Sequence, residues 1–240
     1  YMRIALLISG GGTTMEAIIK AARNGRLKNI VPALIITNNV NARGIVKARN
    51  LGIPEIDILL INPKDFQTRE EFGGKIIEEC QKRNVELIGQ YGWMVMTPEN
   101  VIKKFEGKII NQHPGPLDTG RSDFGGAGMF GLRVHQARLE FVKRINRDFW
   151  TEATTHFVTK EFDKGAIIKR EQVPIFLEDT AEILQARVLP VEHQVQIEAL
   201  KDFSQGKVRE FHRQTPLVLP GEEKILEECK ESAIKMYLNG

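Results

Sequence analysis

Hydrophobic residues in the first half of the chain fall into short, nearly continuous runs that alternate with segments of helical periodicity. Such runs are typical of strands buried on both faces of a sheet, whereas apolar residues three and four apart indicate one buried helix face. The alternation predicts an α/β protein with a parallel, doubly wound sheet and right-handed crossovers. The predicted strands are Arg3–Ser9, Ile30–Thr37, an apolar stretch at Pro54–Ile61, Glu86–Tyr91 and Lys108–Asn111, and the predicted helices are one after Thr14, Gly44–Asn50, Thr68–Arg83 and Pro98–Phe105.

The pattern changes after the fifth predicted strand. A glycine-rich, irregular segment at Asp118–Gly128 precedes a helix at Leu132–Arg144. Two further strands follow, and because only a short turn joins them we expect an antiparallel pair. The chain ends in a helical tail, which we expect to be peripheral. These later elements are the strands Ala153–Thr159 and Ala166–Val173, their turn Lys160–Gly165, a long helix from Thr180 to Phe203, and a last helix at Glu222–Leu238.

Composition changes this picture little. A chain of 240 residues with 42% hydrophobic and 27% charged residues can bury a sizeable core. Lysine and arginine (34) are interspersed with aspartate and glutamate (31), so the net charge of +3 gives no nucleic-acid signature. No apolar run reaches the length of a membrane span, and Cys80 and Cys229 form no metal-type or redox pair. We expect free thiols and a cytoplasmic protein that binds neither nucleic acid nor membrane.

The fifth predicted strand ends in Asn111-Gln112-His113-Pro114. If the strand persists that far, Asn111 and His113 point the same way, because side chains alternate along a strand. An amide and a titratable imidazole then lie together at a strand end, where open α/β sheets bind ligands. The alternative is that His113 caps a turn and Asn111 hydrogen-bonds loop backbone, and the pattern up to this point does not distinguish the two.

A glycine turn, Ser9-Gly10-Gly11-Gly12-Thr13-Thr14, follows the first strand. Backbone N–H groups at such a turn and helix N-terminus form an anion site, so the motif favours a phosphate over a turn of purely geometric purpose. A nicotinamide cofactor fits poorly, because Met15 stands where the third glycine belongs and the second strand ends in Thr37-Asn38-Asn39 instead of an acidic residue.

Asp163 lies in the turn between the two later strands. If that turn folds over the end of the fifth strand, its carboxylate would raise the pKa of His113 and keep it a proton donor near neutrality. Turn aspartates more often bond their own backbone. The pattern alone favours this second interpretation.

Two motifs in colinear order carry a family resemblance: Asn111-x-His113-Pro114, and His156-Phe157-Val158-Thr159 followed by Asp163-x-Gly165. The chain resembles the folate-dependent formyltransferases from Met2 to about Val208, which implies a Rossmann-like formyltransferase domain at 2–208 and a separate tail at 209–240. The resemblance is closest to the members that act in purine biosynthesis.

The resemblance implies transfer of a formyl group from 10-formyltetrahydrofolate, as co-substrate, to the primary amine of glycinamide ribonucleotide. Asn111 would stabilise the oxyanion, and His113 would act as general acid and base. Asp163 would raise the pKa of His113 and hold a water molecule. An amine attacking a formyl carbonyl needs an oxyanion donor and a proton shuttle, and the chain has no metal-ligand cluster that would suggest a metal.

The resemblance also implies binding residues. Each has a plainer alternative: Arg69 as a solvated helix charge, Met94 as core and Glu192 as helix surface. The implied set is Gly12, Thr13 and Thr14 for the substrate phosphate; Arg69, Met94, Val95, Met96, Asn111, Val158 and Thr159 for the folate; and Glu192 and His193 for the acceptor.

The chain departs from the family after His113. Gly115-Pro116-Leu117-Asp118 replaces Ser-Leu-Leu-Pro, and Arg121–Gly126 is inserted. These changes leave two alternatives open: a formyltransferase acting on another amine, such as a nucleotide-linked amino sugar, and a non-catalytic folate- or nucleotide-binding relative. The expected partners are small-molecule substrates, and a homodimer is left open.

Overall fold

The computed structural model describes residues 1–238, and its contacts divide the chain into two compact units. The first contains Tyr1–Gln112 and Gln196–Val208; the second contains His113–Val195 and the segment from Arg209 onward. The last two residues of the predicted tail, 239 and 240, lie outside the described residues.

The first unit is built on parallel strands in the order β3-β2-β1-β4-β5. The central strand β1 pairs with β2 on one side and β4 on the other, and Ile4 to Ile8 are at most 1% exposed. Burial on both faces explains why these strands are continuous apolar runs. The predicted parallel sheet is confirmed, with strands β1 Met2–Ile8, β2 Ile30–Thr37, β3 Ile58–Leu60, β4 Leu87–Gln90 and β5 Ile109–His113.

Helices connect these strands: α1 Thr13–Arg23, α2 Arg43–Asn50, α3 Arg69–Lys82 and α4 Glu99–Lys104. The start of α3 shows how local sequence sets a helix boundary. The Thr68 hydroxyl accepts a hydrogen bond from the Glu71 N–H at 3.1 Å, and the Glu71 carboxylate accepts one from the Thr68 N–H at 3.3 Å. This reciprocal capping satisfies two backbone donors that a helix leaves unpaired.

The second unit contains the antiparallel pair β6 Trp150–Phe157 and β7 Ile167–Pro174, which confirms the predicted pairing. Strand β6 begins three residues earlier than predicted, because Trp150 and Thr151 still pair with Pro174 and Val173. The other elements are α5 Leu132–Ile145, α7 Glu223–Met236 and the first part of α6 Ala181–Ser204, whose remainder belongs to the first unit.

The tail is helical as predicted, but the expectation that it is peripheral is wrong. Its buried residues share one hydrophobic core with α5 and with the glycine-rich segment before it, because the apolar face of α7 packs there instead of facing solvent. The tail contributes Leu217, Val218, Leu226, Cys229 and Ala233 to this core, and the rest of the unit contributes Phe124, Met129, Val134, Ala137 and Phe141.

Both cysteines are buried free thiols. Burial raises the pKa of the Cys80 thiol to about 12 and that of Cys229 to about 11, so neither is a reactive thiolate at neutral pH. Within residues 1–238, no helix combines the length and apolarity needed to cross a membrane. In the same range, no cluster of three or more histidine, cysteine, aspartate or glutamate residues is arranged to hold a metal ion.

Candidate active site

Strand β5 continues through Asn111 to His113, two residues beyond the predicted end. The two side chains therefore lie on the same side of the strand. Asn111 is half-buried, and the His113 side chain is 3% exposed. Pro114 follows at once and lacks the N–H group that would continue the ladder. The sequence thus places an amide and a buried imidazole at a strand end.

Asp163 is the centre of the polar cluster in the second unit. It sits in the β6–β7 turn at φ 55°, a left-handed conformation that aspartate tolerates better than most residues. Its Oδ1 lies 3.3 Å from His156 Nε2, and its Oδ2 lies 3.7 Å from His113 Nδ1. The Gly126 N–H donates to Oδ2 at 2.9 Å. The interpretation of Asp163 as an ordinary turn aspartate is therefore wrong: the carboxylate lies between two imidazoles.

The electrostatics of the pair differ from the expectation. Burial alone would raise the pKa of Asp163, but His113, His156 and the Gly126 N–H together hold it well below its usual value. Burial lowers the pKa of His113 and outweighs the nearby Asp163 carboxylate, which raises it. Asp163 thus acts on the pKa of His113 in the predicted direction, but the effect of burial is larger and the net pKa is lowered. At neutral pH the pair is a carboxylate beside a neutral imidazole.

The two ring nitrogens of His113 both face oxygen atoms. Nε2 lies 3.3 Å from the Phe124 carbonyl oxygen, and Nδ1 lies 3.7 Å from Asp163, beyond hydrogen-bond distance. A neutral imidazole has only one N–H, so it satisfies one of the two acceptors, and an imidazolium satisfies both. With Nε2–H directed at Phe124, Nδ1 keeps its lone pair, and a proton bound there would lie next to the Asp163 carboxylate.

The glycine turn in the first unit has the geometry of an anion site. Gly12 caps α1 at φ 63°, and a Cβ there would lie 2.8 Å from Gly44 Cα, so glycine is required. The N-cap residue Gly12 makes no side-chain hydrogen bond to the first turn of α1, so its N–H groups lack that usual partner. Thr13 is half-buried and Thr14 is buried, so the Thr13 hydroxyl is the more accessible of the two.

The residues assigned to the folate from the first unit are partly brought together. The Arg69 guanidinium donates to the Met96 carbonyl oxygen at 2.7 Å, and the Met94 N–H donates to the Ser9 hydroxyl at 2.8 Å. Met94 is 52% exposed, so its alternative as a core residue is wrong, whereas the neighbouring Trp93 is buried. Val95 is half-buried between two exposed methionines.

The remaining predicted residues lie in the second unit. Val158 and Thr159 follow β6 directly, in the segment that leads to Asp163, and Thr159 is exposed. Glu192 and His193 lie on α6. Glu192 is only 4% exposed, so its alternative as a helix-surface residue is wrong, and His193 is half-buried.

A family model described as formyl transferase matches residues 2–200. The chain belongs to the formyl transferase family. It is 33% identical over 207 residues to the phosphoribosylglycinamide formyltransferase of Haemophilus influenzae, covering 86% of this chain and 89% of that protein. It is 34% identical over 209 residues to the trifunctional purine biosynthetic protein adenosine-3 of Gallus gallus, covering 87% of this chain but only 19% of that protein.

Solved structures agree with these sequence relatives. Glycinamide ribonucleotide transformylase 1 from Symbiobacterium toebii matches with a TM-score of 0.75 and 30% identity, covering 88% of this chain and 94% of that one. The predicted fold class and the predicted family are both confirmed.

In this formyl transferase, three contacts of His113 and Asp163 were not predicted from the sequence. The His156 ring, which lies within a predicted motif, contacts Asp163. Phe124 and Gly126 were included only in an insertion of unknown role. A signal for His156 was present, because residues 156 and 163 flank one short turn; the two insertion contacts left no signal in the pattern.

Proposed function

We propose that this formyl transferase moves the formyl group of 10-formyltetrahydrofolate to the primary amine of glycinamide ribonucleotide. The observation that carries the proposal is the buried Asp163 carboxylate beside the His113 imidazole, with Asn111 on the same side of strand β5. Relatives named as phosphoribosylglycinamide formyltransferases support the choice of acceptor.

The bound donor would supply an electrophilic formyl carbon. The Asn111 amide would donate a hydrogen bond to the formyl oxygen as negative charge develops there. When the amine attacks and its C–N bond forms, Nδ1 of His113 takes up the proton that the amine loses. Asp163 and the Phe124 carbonyl then stabilise the imidazolium. The same proton goes to the folate nitrogen as its bond to the formyl carbon breaks.

The substrate-binding roles are proposed unit by unit. In the first unit, the Gly12 turn with Thr13 and Thr14 would bind the ribonucleotide phosphate, because the N-cap residue Gly12 gives the first turn of α1 no side-chain hydrogen bond. Arg69 and the residues 94–96 would contact the folate, with the half-exposed Met94 and Met96 as apolar surface for its ring. In the second unit, Val158 and Thr159 would contact the folate, and Glu192 and His193 the acceptor.

We also propose residues 2–208 as the formyltransferase domain, with 209–240 as a segment that folds onto it. Small-molecule substrates are the proposed partners, and a homodimer in the cytoplasm remains part of the proposal. The chain would act without a metal ion.

The test is direct. Purified protein is incubated with 10-formyltetrahydrofolate and glycinamide ribonucleotide, and both the formylated nucleotide and tetrahydrofolate are quantified. We expect equimolar, enzyme-dependent products. A nucleotide-linked amino sugar serves as the competing acceptor. Faster transfer to this sugar would contradict glycinamide ribonucleotide as the acceptor. No transfer to either compound would favour a non-catalytic binding protein.

A further inference from the structure

We propose that the inserted segment Phe124–Gly126 is a positioning element for His113 and Asp163, and that the C-terminal tail holds this segment in place. The kinetic part of this inference rests on the proposed function; its structural part does not. All of the residues involved belong to the second unit.

The segment contacts both members of the acid–base pair through its backbone. The Phe124 carbonyl oxygen lies 3.3 Å from His113 Nε2, and the Gly126 N–H donates to Asp163 Oδ2 at 2.9 Å. One contact fixes the tautomer and ring orientation of the imidazole, and the other fixes the rotation of the carboxylate. Because both groups are backbone atoms, the positions of three consecutive residues determine the geometry of the pair.

Gly125 makes this close approach feasible. A Cβ at this position would lie 2.7 Å from Asp163 Cβ, 2.8 Å from its Oδ2 and 2.9 Å from Leu117 Cδ2. Real Cβ atoms do not approach that closely, and Asp163 is itself held by His156, so a side chain at position 125 would push the segment away from the carboxylate. Glycine is therefore needed between the two contacting residues.

The Phe124 ring anchors the segment. It is fully buried, packs edge-on against Phe141 with centroids 5.2 Å apart, and lies 4.9 Å from the guanidinium carbon of Arg138. Arg138 is also fully buried and is itself fixed, because it donates to the carbonyl oxygens of Trp150 at 2.9 Å and Asp148 at 3.0 Å. A displacement of the Phe124 carbonyl would thus have to disturb a close-packed interior.

The tail completes the support. Leu226 and Cys229 on α7 belong to the same buried core as Phe124. Arg133 joins the end of the tail to the end of the glycine-rich segment, since it donates to Tyr237 O at 2.7 Å, Leu238 O at 2.8 Å and Gly128 O at 2.9 Å. The tail therefore fixes the segment in two ways: by apolar packing, and through the hydrogen bonds that Arg133 donates to three backbone carbonyl oxygens.

Several charged or titratable groups act on the His113 ring. Asp163 raises its pKa, His156 and Lys230 lower it, and burial lowers it most. His135 on α5 is close enough to interact with the ring electrostatically. Because burial is the dominant influence, withdrawal of the segment should expose His113 and raise its pKa toward the ordinary histidine value, even though the Asp163 contact also weakens.

The experiment compares Gly125→Ala with Gly74→Ala, an exposed helical glycine with no heavy atom within 4 Å of its ideal Cβ. The His113 ring is titrated by NMR in the protein without substrates, and formyl transfer is then followed across pH. We expect Gly125→Ala to raise the pKa of His113 and to lower kcat about 10- to 100-fold, as expected for a displaced proton-transfer group. Gly74→Ala should behave as the parent.

The tail is tested with Leu226→Ala against Met236→Ala, an apolar truncation at an exposed position of the same helix. At a temperature where both variants are folded, Leu226→Ala should shift the His113 titration in the same direction, and Met236→Ala should not. If Gly125→Ala fails to fold, Phe124→Leu replaces it with the same expectation. An unchanged His113 titration and pH profile in the folded variants would overturn the inference. If the variants shift the His113 titration but the parent protein transfers no formyl group, only the proposed function is refuted.

Discussion

The interiors of the two units differ in what they bury. In the first unit the buried residues are mainly the apolar side chains of parallel strands, and its buried acid Glu79 lies among lysines and an arginine at the surface. The second unit buries charges and imidazoles, including His113, His135 and Arg138. It also buries Glu152, fully, between Arg170 and Arg213. One interior supplies a rigid sheet; the other holds groups whose charge can change.

This difference has a physical consequence. Buried charges and unpaired imidazoles cost folding free energy, whereas buried strand residues supply it. A protein retains such groups where they perform chemistry or hold the groups that do. The comparison agrees with the proposed division of roles, in which the second unit transfers the proton and backbone amides of the first bind the phosphate.

The largest effect should follow removal of the imidazole. His113→Ala should lower kcat by about 10²–10⁴-fold, the usual contribution of a positioned acid–base group, while the protein stays folded. Single-turnover rates of formyl transfer measure this. A variant that retains the full rate would show that the reaction does not use His113.

Removing a buried charge should cost more unfolding free energy in the second unit than in the first. Glu152→Gln leaves Arg213, whose side chain is 6% exposed, without its counter-charge and should cost about 3–5 kcal/mol of unfolding free energy. Glu79→Gln should cost less, about 1 kcal/mol, because Lys75 and Lys82 remain solvated and Arg83 keeps its ion pair with Asp57. Urea unfolding of both variants measures this; equal costs would remove the contrast between the two interiors.

His135 should destabilise the second unit, most of all in acid. In the part of the chain that the structure describes, neither ring nitrogen has a hydrogen-bond partner, and burial, aided by His113, lowers its pKa to about 3. Below about pH 6.5 the unfolded chain binds the proton more readily than the folded protein does, so the free energy of unfolding decreases as the pH is lowered. His135→Leu should stabilise by about 1–2 kcal/mol at pH 7.

At pH 5 the advantage of His135→Leu should grow by about 2 kcal/mol, since each pH unit below the unfolded-state pKa adds about 1.4 kcal/mol. Chemical denaturation at the two pH values measures the difference. A constant advantage would mean that His135 does not titrate with the lowered pKa described here.

The smallest effect should come from the first unit. Thr13→Val removes one hydroxyl from the anion turn and leaves its backbone N–H groups in place. We expect KM for the phosphorylated acceptor to rise about 3- to 10-fold with kcat unchanged, the value of one ordinary hydrogen bond of about 1 kcal/mol. An unchanged KM would place the phosphate elsewhere.

Much of the first unit could be predicted because its signals are local. Strand Ile30–Thr37 was predicted at both ends, since a strand buried on both faces is one apolar run, and Thr68 with Glu71 marked the start of α3. The location of Asn111 and His113 at the end of a strand also followed from alternation and the proline after them.

The second unit was harder for the opposite reason. Asp163 meets His113 across fifty positions of chain, so only the family motif pointed to it. The net pKa of His113 depends on how deeply the ring is buried, which sequence does not state. The apolar face of α7 was visible in the sequence, but its packing partners around Phe124 were not.

The most direct test of the central claim is the pH profile of kcat/KM in Asp163→Asn, a substitution that keeps the side-chain shape and suits the left-handed backbone. If the neutral imidazole is the base, as proposed, kcat/KM rises with pH through the pKa of His113. Removing the carboxylate that raises this pKa should move the rising part of the kcat/KM profile to lower pH and reduce the maximal rate. A profile and rate equal to those of the parent would contradict the account.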